Sequence, residues 1–532
     1  MASGSPNLFG QSLSSLTETD KDSSSLMPLC AVSIIFATGV TVALILRCYL
    51  GESMVFVKGA LVSDHERCTA LGQKVLQDHG SSVDAAIAAA LCLGVVHPHG
   101  SGIGGGGVIL LHDIHKNETK VINFQGTAPK ALTEAVLQNV SELEAGLQVG
   151  VPGMLRGLHH AHRLYGSLSW EDVVSRAAAV AIEGFSVSFS LAEAISKVKG
   201  EQLPQRFREM FFPGGQALLP GSFLRTPTLA GVLQADLSNF YDGNFSQEIV
   251  DEVQSNGGVL SREDISNYSV EVEQPLEGLY NEFIIQVPPP PSAGAALISA
   301  LSLLEGFRLS ESNNTENQTD RWIAEIQAEM IDYSHTSPHK HYSTIHSLQP
   351  ELQAGQVAVM GPDDLMVSVA SSLSRPFGSR LITPSGVILN SLMLDFSWPN
   401  KTRGQFQTNQ RNGVQPGKRP LSSVMPTIVV PAWHKCGIYM ALSSTGVSAT
   451  TQVLISALSN HQEKNESLSL KRFHLPNRPL FDSDSPEEGV PLLHEKGHVA
   501  QRVKTDSAVL GILRNRDVIK TIAVPELSDG SS

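Results

Sequence analysis

Residues Pro350–Leu373 read PELQAGQVAVMGPDDLMVSVASSL. Two apolar runs, Gln356–Met360 and Leu365–Ser371, flank a Gly-Pro-Asp-Asp sequence that favours a tight turn. The pattern predicts a pair of short antiparallel strands joined by this turn. The residues that lead into the first strand, Leu352–Gly355, carry no hydroxyl, thiol or ionisable group. The strand therefore begins without a side chain that could act as a nucleophile.

The composition indicates a globular protein. A chain of 532 residues can form two or three average domains or one large layered domain. Apolar residues make up 41% and charged residues 17%, which suits a buried core and excludes general disorder. The net charge of −14 argues against a nucleic-acid partner, because binding to phosphates needs a basic surface.

The N-terminal region predicts a membrane anchor. Residues 1–26 are rich in Ser and predict a flexible cytoplasmic tail. The following segment, Met27–Leu50, has no charged residue before Arg47 and is long enough for one transmembrane helix. A cleaved signal peptide fits less well, since a long polar leader precedes the apolar run. The lipid bilayer is therefore a predicted partner of residues 27–50.

Glycosylation signals predict the side of the membrane on which the body lies. Eight Asn-x-Ser/Thr acceptors follow the predicted anchor and none precedes it. They are Asn117, Asn139, Asn244, Asn267, Asn313, Asn317, Asn400 and Asn465. Together they favour a single-pass type II membrane protein with a lumenal or extracellular body.

The body begins with a helical pattern and a glycine-rich loop. One helix is expected to end at Gly80, and an Ala-rich helix follows, with Ser82 placed to cap it. The next sequence, HPHGSGIGGGGVILLHD, predicts a loop that enters a strand at Val108, and it lacks the Lys-Ser/Thr of a phosphate loop. Cys68 and Cys92 flank this helical stretch and either pair or remain as buried thiols. The Cys and His spacings match no zinc site, so neither a metal nor a cofactor is predicted.

The pattern changes along the chain. Residues 51–353 are rich in helical patterns and residues 354–532 are rich in strands, with the join near Gln353. We interpret both parts as one α+β body.

Several motifs resemble one enzyme family. They are GSSVDAAIAAALCLGVVHPHGSGIGGGGVILL, VGVPGMLRGL, PPPPSAGAALISALSLLEGF, ITPSGVILNSLMLDFSWPN and VQPGKRPLSSVMPTIVV. In this order they are similar to the gamma-glutamyltransferase (glutathione hydrolase) family, from about Ser53 to about Arg472. The resemblance implies an N-terminal-nucleophile αββα sandwich and a precursor that cuts itself into two chains. It also implies a Cys68–Cys92 disulfide and glutathione or other gamma-glutamyl compounds as substrates.

The chemistry implied by the resemblance depends on one hydroxyl. A Thr hydroxyl is a poor nucleophile until an adjacent base activates it, and self-cleavage frees the Thr α-amine for that role. The hydroxyl then attacks the gamma-carbonyl of glutathione while backbone N–H groups stabilise the oxyanion.

Only part of the family's site is present when its residues are carried over one by one. Ala354 occupies the nucleophile position in a gapless alignment, and a shift of one residue gives Gln353; neither can attack. Gln125 replaces the Arg that grips the substrate carboxylate, so a charged bidentate contact is lost. The other positions are Ser374 in place of Asn, Leu392 in place of an acid, Asp395 for the substrate amine, Ser422 with Ser423, and Thr445 with Gly446 at the oxyanion hole.

These departures leave more than one hypothesis for the function. The first is a membrane-anchored gamma-glutamyl hydrolase or transferase with little or no activity. The alternative is a non-catalytic membrane glycoprotein that binds or modulates a partner, which the sequence does not identify. The segment Arg321–Gln353 is shorter than in the family, so an incomplete or alternatively spliced sequence is a third reading.

Overall fold

The structure is a computed structural model of the chain. It describes residues 38–39, 59–132, 144–310, 354–398, 412–433, 437–459, 473–474, 480–481, 501–502, 509–515 and 518–524. Contacts unite residues 58–532 into one unit. Within the other unit, Met1–Val57, the described residues are Thr38 and Gly39, and both are helical.

The predicted anchor lies almost wholly outside the described residues. Among them, no helix combines the length and the apolar character that crossing a bilayer requires. The segment Met27–Leu50 lies outside the described residues except for Thr38 and Gly39, and the tail at residues 1–26 lies wholly outside them.

Strands from both parts of the chain build the sheets. In chain order they are β1 Ala60–Ser63, β2 Gly106–Asp113, β3 Glu118–Asn123, β4 Phe185–Ser186, β5 Phe223–Leu224, β6 Glu271–Glu273, β7 Leu276–Tyr280, β8 Phe283–Val287, β9 Gly355–Met360, β10 Leu365–Ser372, β11 Thr427–Pro431, β12 Ile438–Ser444, β13 Phe473–His474, β14 Leu480–Phe481, β15 Gln501–Arg502, β16 Val509–Asn515 and β17 Val518–Val524. One six-stranded sheet has the order β1-β9-β10-β2-β3-β6, and the other has the order β17-β16-β12-β11-β8-β7. The part before residue 354, although rich in helices, thus supplies strands to both sheets.

The two six-stranded sheets pack face to face. The apolar side chains between them include Val108, Leu110, Ala358, Ile428 and Ala441. Two serine hydroxyls also cross the gap: Ser443 Oγ donates to Val369 O at 2.8 Å, and Ser368 Oγ donates to Leu442 O. These contacts satisfy buried polar groups and fix the position of β12 against β10.

Helices cover the outer faces of the sheets. In chain order they are α1 Glu66–Gln77, α2 Ser82–Val96, α3 Met154–Tyr165, α4 Trp170–Glu183, α5 Phe189–Lys197, α6 Gln205–Phe211, α7 Pro227–Gln234, α8 Leu237–Tyr241, α9 Asn244–Ser255, α10 Arg262–Ser266, α11 Gly294–Ser310 and α12 Val447–Ser459. Every residue of α2 is buried, and this helix contacts α1, α4, β9 and β10. Helices α11 and α12 pack on the second sheet. The described residues therefore form the expected layers of helix, sheet, sheet and helix.

Strands β9 and β10 are each one residue longer than predicted. β9 begins at Gly355 because Gly355 pairs with Ser371, and β10 continues to Ser372 because Ser372 pairs with Gly106. The predicted turn between them is present, and Asp364 adopts a positive φ of 54° there. Asp tolerates this conformation better than most residues.

The predicted cap of α2 is wrong by one residue. Ser81, not Ser82, caps the helix: its Oγ accepts from Asp84 N, and the Asp84 carboxylate accepts from Ser81 N. Ser82 is the first helical residue, and its N–H donates instead to Asp363 Oδ2 at 2.8 Å. The N-terminus of α2 is thereby attached to the turn between β9 and β10.

A disulfide joins α1 and α2. Cys68 and Cys92 are bonded, with their Cα atoms 5.5 Å apart, and both are fully buried. The bond holds the Ala-rich helix against α1, where Gly72 also allows close packing with Leu61 of β1.

We predict that replacing both cysteines by Ala lowers the free energy of unfolding by roughly 3 kcal/mol, because the closed loop of about 25 residues gains freedom in the unfolded chain. Urea unfolding of the oxidised wild type and the double variant measures this difference. A reductant should bring the wild type close to the variant and leave the variant unchanged. Peptide mapping that finds two free thiols in the native protein would contradict the prediction.

Candidate functional site

The start of β9 lies against the loop that follows α2. In the ladder Gly355 faces Ser371, so Ala354 comes next to Ser372. A side-chain carbon on Gly100 would be 3.6 Å from the Ala354 backbone, so the two segments are in contact. Ala354 is half-buried and packs at the margin of the layer between the sheets. The predicted nucleophile position is thus a methyl group; its alternative, Gln353, lies outside the described residues.

Two buried hydroxyls hold the first peptide of β9. Ser101 Oγ and Ser371 Oγ lie 2.7 Å apart, and Ser371 Oγ donates to Gly355 O at 3.3 Å. Both side chains are fully buried. A side chain on Gly355 would collide with Ser101, so glycine is needed at this close approach.

A buried carboxyl group binds the next peptide. The N–H of Gln356 donates to Asp64 Oδ2 at 2.5 Å, and Asp64 directly follows the neighbouring strand β1. Burial raises the pKa of Asp64 from 3.8 to about 8, although the hydrogen bond from Gln356 opposes the rise. Asp64 is therefore predominantly protonated at neutral pH.

Three histidine side chains, His65, His97 and His99, pack against one another near the start of α1 and the end of α2. The ring of His97 lies 5.2 Å from that of His65 and 4.9 Å from that of His99. Burial lowers the pKa of His99 to about 3 and that of His97 well below its usual value, so both imidazoles are neutral at pH 7. The ring of His99 also contacts Phe377, whose N–H donates to His99 O.

Ser374 and Asp395, both predicted site residues, are in contact. Ser374 Oγ donates to Asp395 Oδ1 at 2.8 Å, and both residues are buried. Ser374 has a positive φ of 78°, and its N–H donates to Ser372 Oγ at 2.9 Å. Asp395 ends a 3₁₀ turn, Leu392–Asp395, and its carbonyl accepts from Asn412 Nδ2. The Asp395 carboxylate is thereby held by Ser374, two residues after the Ser372 position that neighbours Ala354.

Gln125, at the position predicted to have lost an Arg, lies on the other side of Ser372. Its N–H donates to Asn123 Oδ1, and its main-chain oxygen accepts from Tyr268 Oη at 2.9 Å and Arg419 Nε at 3.2 Å. The residue is 4% exposed, and its side-chain Oε1 has no hydrogen-bond partner among the described residues.

Four of the remaining predicted residues, Ser422, Ser423, Thr445 and Gly446, lie on loops of the second sheet, and Leu392 begins the 3₁₀ turn that ends at Asp395. Met425 N donates to Ser444 O at 2.9 Å, which places the Ser422–Ser423 loop beside Thr445–Gly446. Gly446 immediately precedes α12, and its carbonyl accepts from Thr450 of that helix. Leu392 contributes an apolar side chain that would collide with any side chain on Gly126 or Gly150.

Several supporting residues carry no signal in the sequence. Asn390 is fully enclosed: its Nδ2 donates to Gly104 O and Gly150 O, and its Oδ1 accepts from Gly150 N. Asp64 and His99 contact segments hundreds of residues away, so local pattern cannot reveal them. Among the described residues, no three His, Cys, Asp or Glu side chains are grouped so that they could hold a metal ion.

The family model for gamma-glutamyltranspeptidase matches residues 68–328 and 315–529. This chain belongs to the gamma-glutamyltranspeptidase family. The resemblance inferred from the sequence motifs is thus confirmed. The chain is 42% identical to glutathione hydrolase 7 from Homo sapiens. The alignment covers 100% of this chain and 89% of that protein. It is 29% identical to glutathione hydrolase 2 from Arabidopsis thaliana over 86% of this chain and 91% of that protein.

A solved structure shares the layered arrangement of helices and sheets. The cephalosporin acylase from Bacillus halodurans superimposes with a TM-score of 0.76 at 22% identity, over 89% of this chain and 95% of that chain. This likeness concerns the fold alone. The alignment with the human relative has 589 positions, whereas this chain has 532 residues. At least 57 positions of that relative therefore have no counterpart in this chain.

We predict that Asp64→Asn removes a pH-dependent loss of stability. The unfolded chain ionises Asp64 near pH 3.8, whereas the folded protein keeps it protonated up to about pH 8. The contribution of Asp64 to stability is therefore complete below pH 3.8 and declines as the pH rises towards 8, by up to about 1.4 kcal/mol per pH unit. The Asn oxygen accepts the Gln356 N–H at every pH without ionising.

Urea unfolding of both proteins at about pH 5 and about pH 7 provides the measurement. The stability of the variant relative to the wild type should increase with pH. A difference that stays constant would mean that Asp64 is ionised in the folded protein.

Proposed function

We propose that this chain is a member of the gamma-glutamyltranspeptidase family that binds gamma-glutamyl compounds, glutathione among them, without cleaving them or itself. The methyl group of Ala354 at the start of β9 carries this proposal, because family chemistry needs a hydroxyl there. Without self-cleavage no α-amine is freed at this position, so the nucleophile and its base are lost together.

Neighbouring hydroxyls do not substitute for the missing nucleophile. Ser101 and Ser371 are fully buried and hydrogen-bonded to each other, and Ser372 Oγ accepts from the Ser374 N–H. The pair His112 and Thr119, 2.7 Å apart, is enclosed between the sheets. A substrate carbonyl cannot reach Ser101, Ser371 or the His112–Thr119 pair without opening the core, whereas Ser372 is half-buried and its hydroxyl is engaged by the Ser374 N–H.

Residues that suit binding are retained. Asp395 can pair with a ligand amine, since a carboxylate and an ammonium group form a charge-assisted hydrogen bond. Ser422, Ser423 and the Thr445–Gly446 loop add hydroxyl and backbone groups from the second sheet. Affinity in the ground state requires only such contacts, whereas turnover requires groups that act in the transition state.

We predict that the purified chain remains a single polypeptide, 57.0 kDa after deglycosylation, and releases no glutamate from glutathione at a family-like rate. Residual catalysis from binding and backbone N–H groups should not exceed about 10³–10⁴-fold over water, as in sites that have lost their nucleophile. Denaturing gels and a glutamate assay measure both properties.

The control replaces the upstream hydroxyl-bearing residues Ser343, Thr344 and Ser347 by Ala and should change neither result. Two fragments that meet near Gln353 would overturn the proposal. So would turnover that a substitution at Ala354 abolishes.

We further propose that the body is lumenal or extracellular and is anchored by Met27–Leu50 as a type II membrane protein. The apolar character of that segment supports the anchor. Three acceptor asparagines, Asn117, Asn244 and Asn267, are described and are all exposed, as glycan attachment requires. The other five acceptors lie outside the described residues.

We predict that an N-glycan-removing enzyme lowers the apparent mass of the expressed protein. Single Asn→Gln changes at Asn117, Asn244 and Asn267 should each remove one step of that shift, because each site is accessible. An unchanged mass after enzyme treatment would reject the lumenal orientation.

A further inference from the structure

A small cavity lies between the loop that follows α2 and the start of α7. Its wall includes the buried apolar residues Val95, Ile103 and Leu229 and the half-buried side chains of Met210 and Leu224. The space that the centre of a water molecule can occupy there measures about 20 Å³. One water needs about 10–15 Å³ by the same measure, so the cavity has room for a water and not for a larger ligand.

One hydroxyl on the cavity wall is buried without a partner. Thr226 is 7% exposed, and its Oγ1 has no hydrogen-bond partner among the described residues. Thr226 directly precedes α7, but its side chain makes no hydrogen bond that caps this helix. Native structures rarely leave a buried hydroxyl unsatisfied, because the loss of its hydrogen bonds to water is costly. The hydroxyl therefore favours a polar occupant of the cavity.

A second hydroxyl on the wall can accept a further hydrogen bond. Ser101 Oγ lies 2.7 Å from Ser371 Oγ, and Ser371 Oγ donates its proton to Gly355 O. A hydroxyl carries one proton and two lone pairs, so Ser101 must be the donor to Ser371. Ser101 also lines the cavity, and its own lone pairs remain able to accept from an occupant.

The end of α2 supplies a third polar group. Gly94 lines the cavity, and Pro98, four residues later, has no N–H to donate to the Gly94 carbonyl. The preceding carbonyl, that of Leu93, accepts from His97 N at 2.8 Å. Cavities with apolar walls alone stay dry, whereas a buried water typically makes two to four hydrogen bonds to polar groups. The three polar groups on this wall meet that requirement.

We propose that the cavity binds one ordered water molecule, which accepts from Thr226 Oγ1 and donates to Ser101 Oγ and to Gly94 O. Hydrogen bonds then run without interruption from the start of α7, through the water, to the first carbonyl of β9. Each hydroxyl in this chain donates once, so no proton is left without an acceptor. The water thus adds a contact that supports the start of β9, and the inference does not depend on the proposed function.

A crystal structure of the purified full-length chain, at a resolution that shows ordered waters, tests the site directly. We expect one water within hydrogen-bond distance of both Thr226 Oγ1 and Ser101 Oγ. Thr226→Val keeps the shape of the side chain but removes the hydroxyl, so the variant should lose this water. Thr226→Ser keeps the hydroxyl and should retain the water.

Thermal unfolding gives a second measurement, whose sign separates a hydrated cavity from a dry one. With the water bound, Thr226→Val removes a satisfied hydrogen bond and should lower the unfolding midpoint by about 1–3 °C. In a dry cavity the same change removes an unsatisfied hydroxyl, and the midpoint should rise instead.

The matched control, Thr228→Val, makes the same substitution at an exposed position of α7 and should change neither the water nor the midpoint. A wild-type structure without a water between Thr226 and Ser101 overturns the inference. A midpoint that Thr226→Val leaves unchanged or raises overturns it as well.

Discussion

The pairing of β9 between β1 and β10 fixes the geometry on which the site depends. All residues of β9 are buried, so a slip of one residue would turn its side chains to the wrong faces. The register places Gly355 opposite Ser371 and brings Ala354 beside Ser372. Residues from the loop after α2, the end of β10 and the Leu392–Asp395 turn then converge at one edge of the first sheet.

Buried polar contacts reinforce this register independently of any chemistry at residue 354. Asp64 accepts the Gln356 N–H, and the hydroxyls of Ser101 and Ser371 hold Gly355. Removing one member of such a buried pair leaves the other unsatisfied, at a cost of about 1–3 kcal/mol. The strand edge is therefore held by contacts that do not require a nucleophile, which explains how the fold persists with a methyl group there.

Local pattern in the sequence predicted the strands β9 and β10, the Ala-rich helix and the family, because each depends on neighbouring residues or on contiguous motifs. It placed the cap of α2 one residue late, since Ser81 and Ser82 are chemically alike and only the contact with Asp363 distinguishes them. Local pattern did not indicate the hydrogen bond between Asp64 and Gln356 or the one between Arg419 and Gln125. These pairs are joined by tertiary packing across most of the chain.

Ala354 and Gln125 both stand where the family resemblance implies a functional side chain, a Thr hydroxyl and an Arg guanidinium group, and both differences bear on how a substrate is held. A site that breaks a bond must hold its substrate so that charge developing in the transition state is stabilised. With no hydroxyl at residue 354, the proposed function leaves only ground-state contacts to bind a ligand. The guanidinium group of Arg419 is already engaged by Glu271 and by the Gln125 carbonyl, and the Gln125 side chain is neutral. The buried Gln125 oxygen has no hydrogen-bond partner among the described residues, so the fold bears the cost of burying it.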